Sequence, residues 1–394
     1  MLAFAWDFGP FVSTDAMSAT GLTRSTTIEA FNELIAIGLL RELPNARHGG
    51  DYQGGRPARR VEFRADAAVV VGVDAGLARL SATVADLRGA PLARRSIELD
   101  DTMTGADDRR VAILAAIDSA LSAAGRDRSS VLAVCVGVPA PVDARGQSPQ
   151  HWDDFWRRMN PGLLVMLEEW APIVRVDNDA SLAAVAELAI GSAVGCSDFV
   201  VLLAGDRFGA GVVIDGHLLR GAHGGVGETV AFDHVVGVES ACGIGLQLTE
   251  WVRQAAAAGE LPDEHPFRRL PTEQLTGRAV LELAADGDAW SYTLVTRAGV
   301  MLGRIAAVLG SLYDPSRIIV AGAVADGLAQ VVEVARGRVA DELDLPAPEL
   351  VLSSLGATSV VTGAVFAAIE AAKAGVLRQR TSAPGPAGPS TAAT

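Results

Sequence analysis

The sequence has little of what would place the protein in a membrane or in an oxidising compartment. Its 394 residues contain only three cysteines, Cys135, Cys196 and Cys242, which are odd in number and far apart. Such spacing argues against both a disulfide framework and a thiolate metal cage. No uninterrupted apolar run reaches the ~18 residues that a membrane span needs, and the first residues lack the basic region of a signal peptide. We therefore expect a cytoplasmic protein without a membrane partner.

Positive charge is also scarce, and it is unevenly distributed. The formal net charge is −14, which by itself speaks against a nucleic-acid partner. Residues 1–64, however, carry seven arginines and seven acidic residues, so the rest of the chain accounts for the whole negative charge. Within 41–64 six arginines face three acidic residues. A locally basic segment on an acidic body is typical of a DNA-binding head joined to a ligand-binding body.

Residues 14–40 predict two short helices joined by a tight turn at Gly21 and Leu22. Such a pair is the helix-turn-helix arrangement, and the second helix would open at Arg24 and present its amino-terminal end to bases and phosphates. Its apolar positions at helical spacing are Ile28, Phe31, Leu34 and Ile35. The candidate DNA-binding residues are Thr23, Arg24, Ser25, Thr26 and Thr27. The same residue types would also suit an ordinary capped surface helix.

A hairpin wing is predicted after these helices. The polar, glycine-rich segment 45–55 separates a short strand at 38–42 from an alternating strand at 56–64. Arginines at the tip of such a wing could enter a minor groove, where negative potential is deepest over narrow A·T-rich sequence. The candidates here are Arg56, Pro57 and Arg59. A solvated hairpin with stray arginines is the alternative, but together with the helices the segment predicts a winged helix-turn-helix over residues 1–64.

The central feature of the body is the stretch 173–187. An apolar run predicts a buried strand, three polar residues follow at 177–179, and an Ala/Leu-rich run predicts a helix. A carboxylate at the carboxyl end of a sheet strand faces the crevice where α/β folds bind ligands, so Asp179 could act as a general base on a hydroxyl. Equally, Asn178 or Asp179 could simply cap the helix. This stretch alone leaves both interpretations open.

The preceding strands predict a ribonuclease-H-like, actin-type lobe. Three hairpin-linked strands, a helix and a further strand run from residue 69 to 138, and Asp74 ends the first strand, where such a lobe would hold phosphates and metal. A second set of strands and helices follows from 199 to a closing helix predicted at 359–372. Residues 379–394 are mostly Pro, Ala, Ser and Thr without periodicity, and we expect a disordered tail over 377–394.

These motifs together resemble the ROK family of repressors and sugar kinases. The resemblance rests on VGVDAG at 71–76, VGVPAPVD at 136–143, VDNDASLAAVAE at 176–187, FGAGVVIDG at 208–216 and RGAHGGVGE at 220–228. A winged helix-turn-helix is similar to that of the family's transcriptional regulators, and the family's kinases lack one. The implied fold is α/β: the head at 1–64, then a two-lobed ribonuclease-H-like/actin-like (ROK) domain at 65–376, with lobes of about 65–187 and 188–376.

Departures from the family pattern argue against phosphoryl transfer. Family kinases have a D-x-G-G-T-K phosphate loop, whose glycines let backbone amides approach phosphate. Here Asp74, Gly76 and Ala78 occupy that loop, so one glycine and the threonine hydroxyl are missing. In the second phosphate loop Asp206 would place a carboxylate beside the phosphates, and two like charges ~4 Å apart repel by about 4 kcal/mol at an effective dielectric constant near 20. Asp179, at the family's catalytic-base position, is then vestigial.

The family's zinc site is also incomplete. Ala231 stands at the position of the family's histidine ligand, and the cysteine cluster is reduced to Cys242, so His234 and Cys242 cannot complete a four-ligand site. We expect no metal and no cofactor.

The residues that bind sugar in the family carry over in part. The candidates here are Asn178, Asp179, Glu228 and Glu239. Carboxylates and amides suit vicinal hydroxyls, but the replacement of the histidine by Ala231 would leave a standard hexose with one polar group unpaired, at a cost of ~1–3 kcal/mol. The ligand therefore differs from a standard hexose, or the site is vestigial.

The expected function is transcriptional regulation. We expect a repressor that binds a double-stranded DNA operator as a homodimer or tetramer and responds to a sugar or sugar derivative. Two alternatives stay open. One is an ATP-dependent sugar kinase with a DNA-binding head, and the other is an effector-independent DNA-binding dimer.

Overall fold

The computed structural model describes residues 1–44, 59–99, 105–150, 153–205, 207–238, 240–322 and 327–382. Three sheets organise these residues, a small one of three strands and two of five strands each. The small sheet belongs to the amino-terminal head, and each five-stranded sheet forms one lobe of the body. The predicted α/β fold class, a winged helix-turn-helix followed by a two-lobed ribonuclease-H-like body, is confirmed.

The head is a helix-turn-helix with a strand-built wing base. Its elements in chain order are α1 (Leu2–Asp7), β1 (Phe11–Val12), α2 (Ser13–Thr20), α3 (Arg24–Ala36), β2 (Leu40–Glu42) and β3 (Arg60–Phe63). The sheet order is β1-β3-β2, with both pairs antiparallel. Gly21 ends α2 with φ of 68°, the left-handed conformation that glycine adopts without steric cost. The sequence did not predict α1 and β1, because a six-residue helix and a two-residue strand are too short for their apolar pattern to repeat clearly.

Aromatic side chains form the core of the head. Phe11 lies between Phe4 and Phe31, with ring centroids 5.1 and 5.6 Å apart. Trp6 of α1 packs against Phe63 of β3 at 4.5 Å and is only 1% exposed. These contacts explain why a six-residue helix is stable here, because helices this short depend on tertiary packing.

The first lobe of the body is a five-stranded sheet in the order β6-β5-β4-β7-β8. Its elements are β4 (Val69–Ala75), β5 (Arg79–Asp86), β6 (Pro91–Glu98), α4 (Ala106–Ala123), β7 (Val131–Val138), α5 (Phe155–Met159), α6 (Leu163–Glu168), β8 (Ile173–Asn178) and α7 (Asp179–Ile190). The pairs β4–β5 and β5–β6 are antiparallel, whereas β4–β7 and β7–β8 are parallel. The carboxyl ends of β4, β7 and β8 therefore meet at one edge of the sheet.

The second lobe repeats this topology. Its sheet has the order β11-β10-β9-β12-β13, again with two antiparallel and two parallel pairs. Its elements are β9 (Phe199–Ala204), β10 (Phe208–Ile214), β11 (His217–Leu218), α8 (Ile244–Ala258), α9 (Gly277–Ala285), α10 (Ala289–Tyr313), β12 (Arg317–Ala321), α11 (Ala329–Val339) and β13 (Glu349–Leu352). The helix predicted at 327–343 is thus shorter at both ends.

The last helix, α12 (Ser359–Ser382), returns to the first lobe. It packs on β4, β7 and α7, and Gly363 lies so close to α7 that an added Cβ would be 1.8 Å from the carbonyl oxygen of Leu182. The predicted lobe bounds of about 65–187 and 188–376 assign α12 to the second lobe, whereas it packs on elements of the first. The helix also extends beyond its predicted end at Ala372 into the segment predicted as a tail, and the rest of that segment lies outside the described residues.

Within the described residues, two helices pass the length and composition test for a membrane span, Ala289–Tyr313 and Gly356–Leu377. Of their most apolar windows, 61% and 56% are buried inside the fold. Their apolar residues belong to the two large cores of the body. Apolar length is therefore explained here by packing between helices and sheets.

Candidate functional site

The candidate ligand site lies where the polar carboxyl ends of the first sheet face the second lobe. Asp74 is the second-last residue of β4, and Asp179 is the first residue of α7, directly after β8. Glu228 reaches the same region from the second lobe, since it forms a β-bridge with Gly209 of β10 and its charge acts on Asp179. The structure thus brings three of the predicted residues together. Glu239 and Asp206 lie outside the described residues, so their roles stay predictions.

Asn178 resolves one of the open alternatives, because it is the N-cap of α7. Its Oδ1 accepts a hydrogen bond from the backbone N–H of Ser181 at 3.0 Å, and its Nδ2 donates to the carbonyl oxygen of Ala140 at 3.2 Å. The Asp179 carboxyl group accepts from the N–H of Ala180 at 2.7 Å. The capping role therefore belongs to Asn178, and the Asp179 carboxylate keeps lone pairs for a ligand.

The loop that carries Glu228 is held against both lobes. Gly224, with φ of 73°, lies against the first-lobe loop at Val142, where an added Cβ would be 2.0 Å from a carbonyl oxygen. Gly227 approaches Ala210 of β10 just as closely, since a Cβ added to Gly227 would be 1.7 Å from the carbonyl oxygen of Ala210. Only glycine allows this double contact, which explains the glycines of the 220–228 motif.

Burial raises the pKa values of Asp179 and Asp74, and neighbouring negative charges raise that of Asp179 further. Burial, the charge of Asp74 and the charge of Glu228 raise the pKa of Asp179 to about 7. Burial also raises the pKa of Asp74 to about 6, although Arg109, Arg79 and Arg94 oppose the shift. The two groups therefore titrate near neutral pH, where a carboxyl group can donate or accept a hydrogen bond and can serve as a base.

The predicted phosphate loop is anchored by an arginine that the sequence analysis missed. Arg109 of α4 is 4% exposed and donates hydrogen bonds to the carbonyl oxygens of Ala75, of Gly76 at 3.0 Å and of Met159 at 3.1 Å. These bonds hold the turn between β4 and β5, which contains Gly76 and Ala78. The turn is therefore stabilised by the Arg109 side chain. No local signal marks Arg109, because it sits in an ordinary helical pattern.

A second missed feature links the glycine-rich loop to β8. Asp177 is buried and pairs with Arg175 at 2.7 Å and with Arg220 at 3.0 Å. Arg220 begins the RGAHGG motif, so this bridge connects β8 of the first lobe to the loop that carries Glu228. The position of Asp177 beside Asn178 and Asp179 could have suggested an ion pair. Nothing in the sequence indicated that its partner on the second lobe is Arg220.

Hydrogen bonds between side chains and backbone hold together the segment around 233–242, which corresponds to the family's zinc site. Asp233 Oδ1 accepts from the N–H of Ala241 at 2.6 Å, and Ser240 Oγ accepts from the N–H of Cys242 at 3.0 Å. Among the described residues no three His, Cys, Asp or Glu side chains converge in a way that could hold a metal ion. The absence of zinc stays a prediction.

The candidate DNA-binding surface is the amino-terminal end of α3. Thr23 caps the helix by accepting from the N–H of Thr26 at 3.3 Å, and Arg24, Ser25 and Thr26 are exposed beside it. Thr27 is completely buried in the head, so we remove it from the set that could face DNA.

Two further expectations for the head are corrected or refined. Ile28 was expected in the core but is 40% exposed, one turn after Arg24, where an apolar side chain could contact a thymine methyl group. Arg59 is bonded to Glu42 at 2.8 Å and to Asn32 of α3 at 2.7 Å, so it fastens the wing base to the helix. Arg56 and Pro57 lie outside the described residues.

Fold and site together define a class of protein, a two-lobed sugar-kinase-type body fused to a winged helix-turn-helix. The sequence pattern of the ROK family matches residues 70–371. The chain belongs to the ROK family. It is a transcriptional regulator of that family, because its similarity to regulators includes the head, which the kinases lack.

Three relatives illustrate this. The Escherichia coli K12 DNA-binding transcriptional dual regulator NagC is 24% identical over 328 residues, 81% of this chain and 78% of NagC; counterparts in other strains are named N-acetylglucosamine repressor. A ROK family transcriptional regulator described as a homologue of E. coli MLC superposes with a TM-score of 0.73 at 20% identity, covering 96% of both chains. A ROK family glucokinase from Streptomyces griseus, solved with glucose and AMPPNP, gives 0.63 at 26% identity, covering 77% of this chain and 99% of the kinase.

Proposed function

We propose that this protein is a cytoplasmic, homodimeric repressor that releases its operator when a sugar or sugar derivative binds between the lobes. The observation that carries the proposal is the convergence of Asp74, Asp179 and Glu228 in a body whose first lobe packs directly on a DNA-binding head. Carboxylates and the cap residue Asn178 suit a ligand with several hydroxyl groups. NagC and the N-acetylglucosamine repressors of other strains are similar to this chain over 81% of its length, and the name of those repressors supports a sugar effector here.

A contiguous set of elements supports transmission from the cleft to the head. α7 begins at Asp179 and packs on α12 through the close approach at Gly363. Farther along α12, Lys373 pairs with Asp7 of α1 at 2.9 Å. A ligand that favours one closure of the lobes would therefore shift α7 and α12 and, with them, the head. In a dimer this shift changes the spacing of the two recognition helices relative to their half-sites.

Loss of phosphoryl transfer is part of the proposal. Arg109 fixes the turn at Gly76 and Ala78 by donating to backbone carbonyl oxygens. In the sequence, Asp206 occupies the second phosphate loop, where we predict that its carboxylate repels phosphate. One observation favours the kinase alternative, namely the pKa of Asp179 at about 7, a value suited to a general base. An ATP-dependent phosphorylation assay with glucose and amino sugars separates the two: we expect no turnover, and measurable sugar phosphate would establish the kinase.

The regulator proposal is tested by operator binding. Purified full-length protein is titrated against DNA from its own upstream region, with and without a panel of neutral sugars, amino sugars and sugar phosphates. We expect one compound to weaken operator binding of the wild type and to have no effect on an Asp179→Asn, Glu228→Gln double variant that still binds DNA. Operator binding indifferent to every compound would support the effector-independent dimer, and absence of operator binding would contradict the proposal as a whole. Light scattering on the same samples measures the oligomeric state.

A further inference from the structure

The exposed side of α3 carries a stripe of polar residues. The helix buries three side chains in the core of the head, those of Thr27, Phe31 and Leu34. At 3.6 residues per turn, the opposite side of the helix carries Ser25, Glu29 and Asn32, and all three are exposed. Residues at this spacing are neighbours on a helix surface. Only Ser25 was among the predicted DNA-binding residues, so the stripe adds Glu29 and Asn32 to the candidates.

Glu29 differs from the acidic residues of the wing strands. Glu42 pairs with Arg59 and Glu62 pairs with Arg41, whereas the side chain of Glu29 forms no ion pair within the described part of the chain. An ionised carboxylate only accepts hydrogen bonds. Beside DNA it is repelled by the phosphates unless a base donates to it, and the major-groove donor that suits it is the N4 amino group of cytosine.

Asn32 is held in one orientation by Arg59. The Nη1 atom of Arg59 donates to Oδ1 of Asn32 at 2.7 Å, and Arg59 is itself bonded to Glu42 at 2.8 Å. Because a guanidinium group can only donate, the atom that faces it must be the amide oxygen. An unconstrained asparagine reads adenine by donating and accepting at once. With Oδ1 committed to Arg59, Asn32 instead offers its Nδ2 donors to an acceptor on guanine or thymine.

We propose that Glu29 and Asn32 read two adjacent base pairs in each operator half-site, with Glu29 selecting cytosine and Asn32 selecting guanine or thymine. This inference rests on the proposed function of the head as an operator-binding domain. Three residues of α-helix rise by about 4.5 Å, close to the ~3.4 Å between stacked base pairs, so the two side chains reach neighbouring base pairs. Because its charge is repelled by the phosphates, Glu29 supplies specificity and lowers affinity for DNA in general.

Fluorescence anisotropy with the full-length protein tests the assignment to Glu29. The duplexes are the operator from its own upstream region, operators with each base pair replaced in turn in both half-sites, and random DNA. For the wild type we expect one position at which cytosine is preferred about tenfold or more. Glu29→Ala should abolish the preference at that position alone and should tighten binding to random DNA about two- to fivefold. A merely structural role would instead weaken binding to all duplexes together.

Asn32→Asp tests the second position. The aspartate keeps an oxygen for Arg59 and replaces the amide donor by an acceptor. At the base pair next to the cytosine, the preference should therefore move from guanine or thymine to cytosine or adenine. An unchanged preference at that base pair would overturn the role of Asn32.

Glu33→Ala is the matched control, because it removes an exposed acidic residue of the same helix outside the stripe. It should tighten binding to random DNA by a similar factor and leave every base preference unchanged. Operator binding by the wild type without a preferred cytosine, or with base preferences that Glu29→Ala leaves intact or Glu33→Ala alters equally, would overturn this proposal alone. Absence of operator binding by the wild type would overturn it together with the proposed function.

Discussion

At the scale of single residues, the interlobe cleft is defined by carboxyl groups that repel one another. Asp179 and Asp74 are partly shielded from water and have pKa values near 7 and 6. Between pH ~4 and pH ~7 the folded protein therefore holds protons that the unfolded chain has already released. Stability from this source is present at low pH and is lost as the pH rises through 7. The cleft is thus a local cost to stability at physiological pH, as expected for a ligand site.

Asp179→Asn should stabilise the protein at pH 8, because the neutral amide removes a buried negative charge next to Asp74 and Glu228. We expect a gain of about 2 kcal/mol in the free energy of unfolding. The gain should shrink as the pH is lowered toward 4, where the wild-type carboxyl group is protonated in the folded state and about half protonated in the unfolded chain. Urea denaturation at pH 8 and pH 5 measures it. The exposed Asp118→Asn on α4 is the control, and a gain independent of pH would contradict the interpretation.

Arg24→Ala should weaken operator binding and reduce discrimination between the operator and random DNA. The reason is that Arg24 is exposed at the amino-terminal end of α3, where recognition helices contact base edges. We expect a loss of about 1–3 kcal/mol on the operator. Fluorescence anisotropy with operator and random duplexes measures both affinities. Arg41→Ala removes the same charge from the head but from a residue paired with Glu62, and equal losses for both variants on both duplexes would exclude α3 as the reading element.

At the scale of elements, α7 and α12 are the pair on which the site depends. α7 starts at the candidate ligand residues, and α12 packs on it, on the first sheet and near α1. Gly363 of α12 lies against the backbone of Leu182 in α7, where an added Cβ would be 1.8 Å from the carbonyl oxygen. At this contact no side chain lies between the two helices whose rotamer change could absorb a shift of one of them. We therefore expect α7 and α12 to move together.

Gly363→Ala should destabilise the protein by about 3 kcal/mol, since the new methyl group would force α12 and α7 apart. The matched control is Gly337→Ala in α11, an exposed helical glycine with open space around its Cβ position. That change should raise stability by about 0.5–1 kcal/mol, because alanine restricts the unfolded chain and favours the helix. Thermal and urea denaturation of both variants give the comparison, and equal stability would show that the helices are not tightly coupled.

At the scale of the whole molecule, the head and the first lobe share one continuous apolar core. Trp6 donates a hydrogen bond to the carbonyl oxygen of Leu87 at 2.6 Å, and Arg88 donates to the backbone of Trp6 and Phe8. Lys373 of α12 adds the ion pair with Asp7. The head is therefore packed on the first lobe. Because of this packing, we expect a rotation of the first lobe to move the recognition helix with it.

The double variant Arg88→Ala, Lys373→Ala should uncouple the head from the cleft. Operator affinity without effector should change by no more than a few-fold, because α3 is untouched. Relief of operator binding by the effector should fall clearly, because the Arg88 and Lys373 contacts that tie α1 to the lobe are gone and only the Trp6–Leu87 hydrogen bond of that set is left. Anisotropy titrations with and without the effector measure this. Arg278→Ala is the control, and full relief in the double variant would contradict this route of transmission.

Much of the architecture could be predicted because it is written in local patterns. The strand-turn-helix at 173–190, the two helices of the head and the order of the body strands follow from apolar periodicity and turn residues. Burial within the head was less accessible. Thr27 and Ile28 exchanged their expected environments, because a helix periodicity locates a face only to within a residue or two, and the neighbouring α1 and β1 had not been predicted.

The sequence by itself determined the class of protein, the positions of the polar residues at the strand ends and the departures from the kinase loops, because these depend on residue types at fixed short spacings. Only the tertiary structure decided that Arg109 anchors the Gly76 turn, that Arg220 pairs with Asp177 and that α12 returns to the first lobe. It also decided the raised pKa values of Asp179 and Asp74. These properties arise from groups far apart in the chain, and their energies depend on distance and burial, which exist only once the lobes have packed.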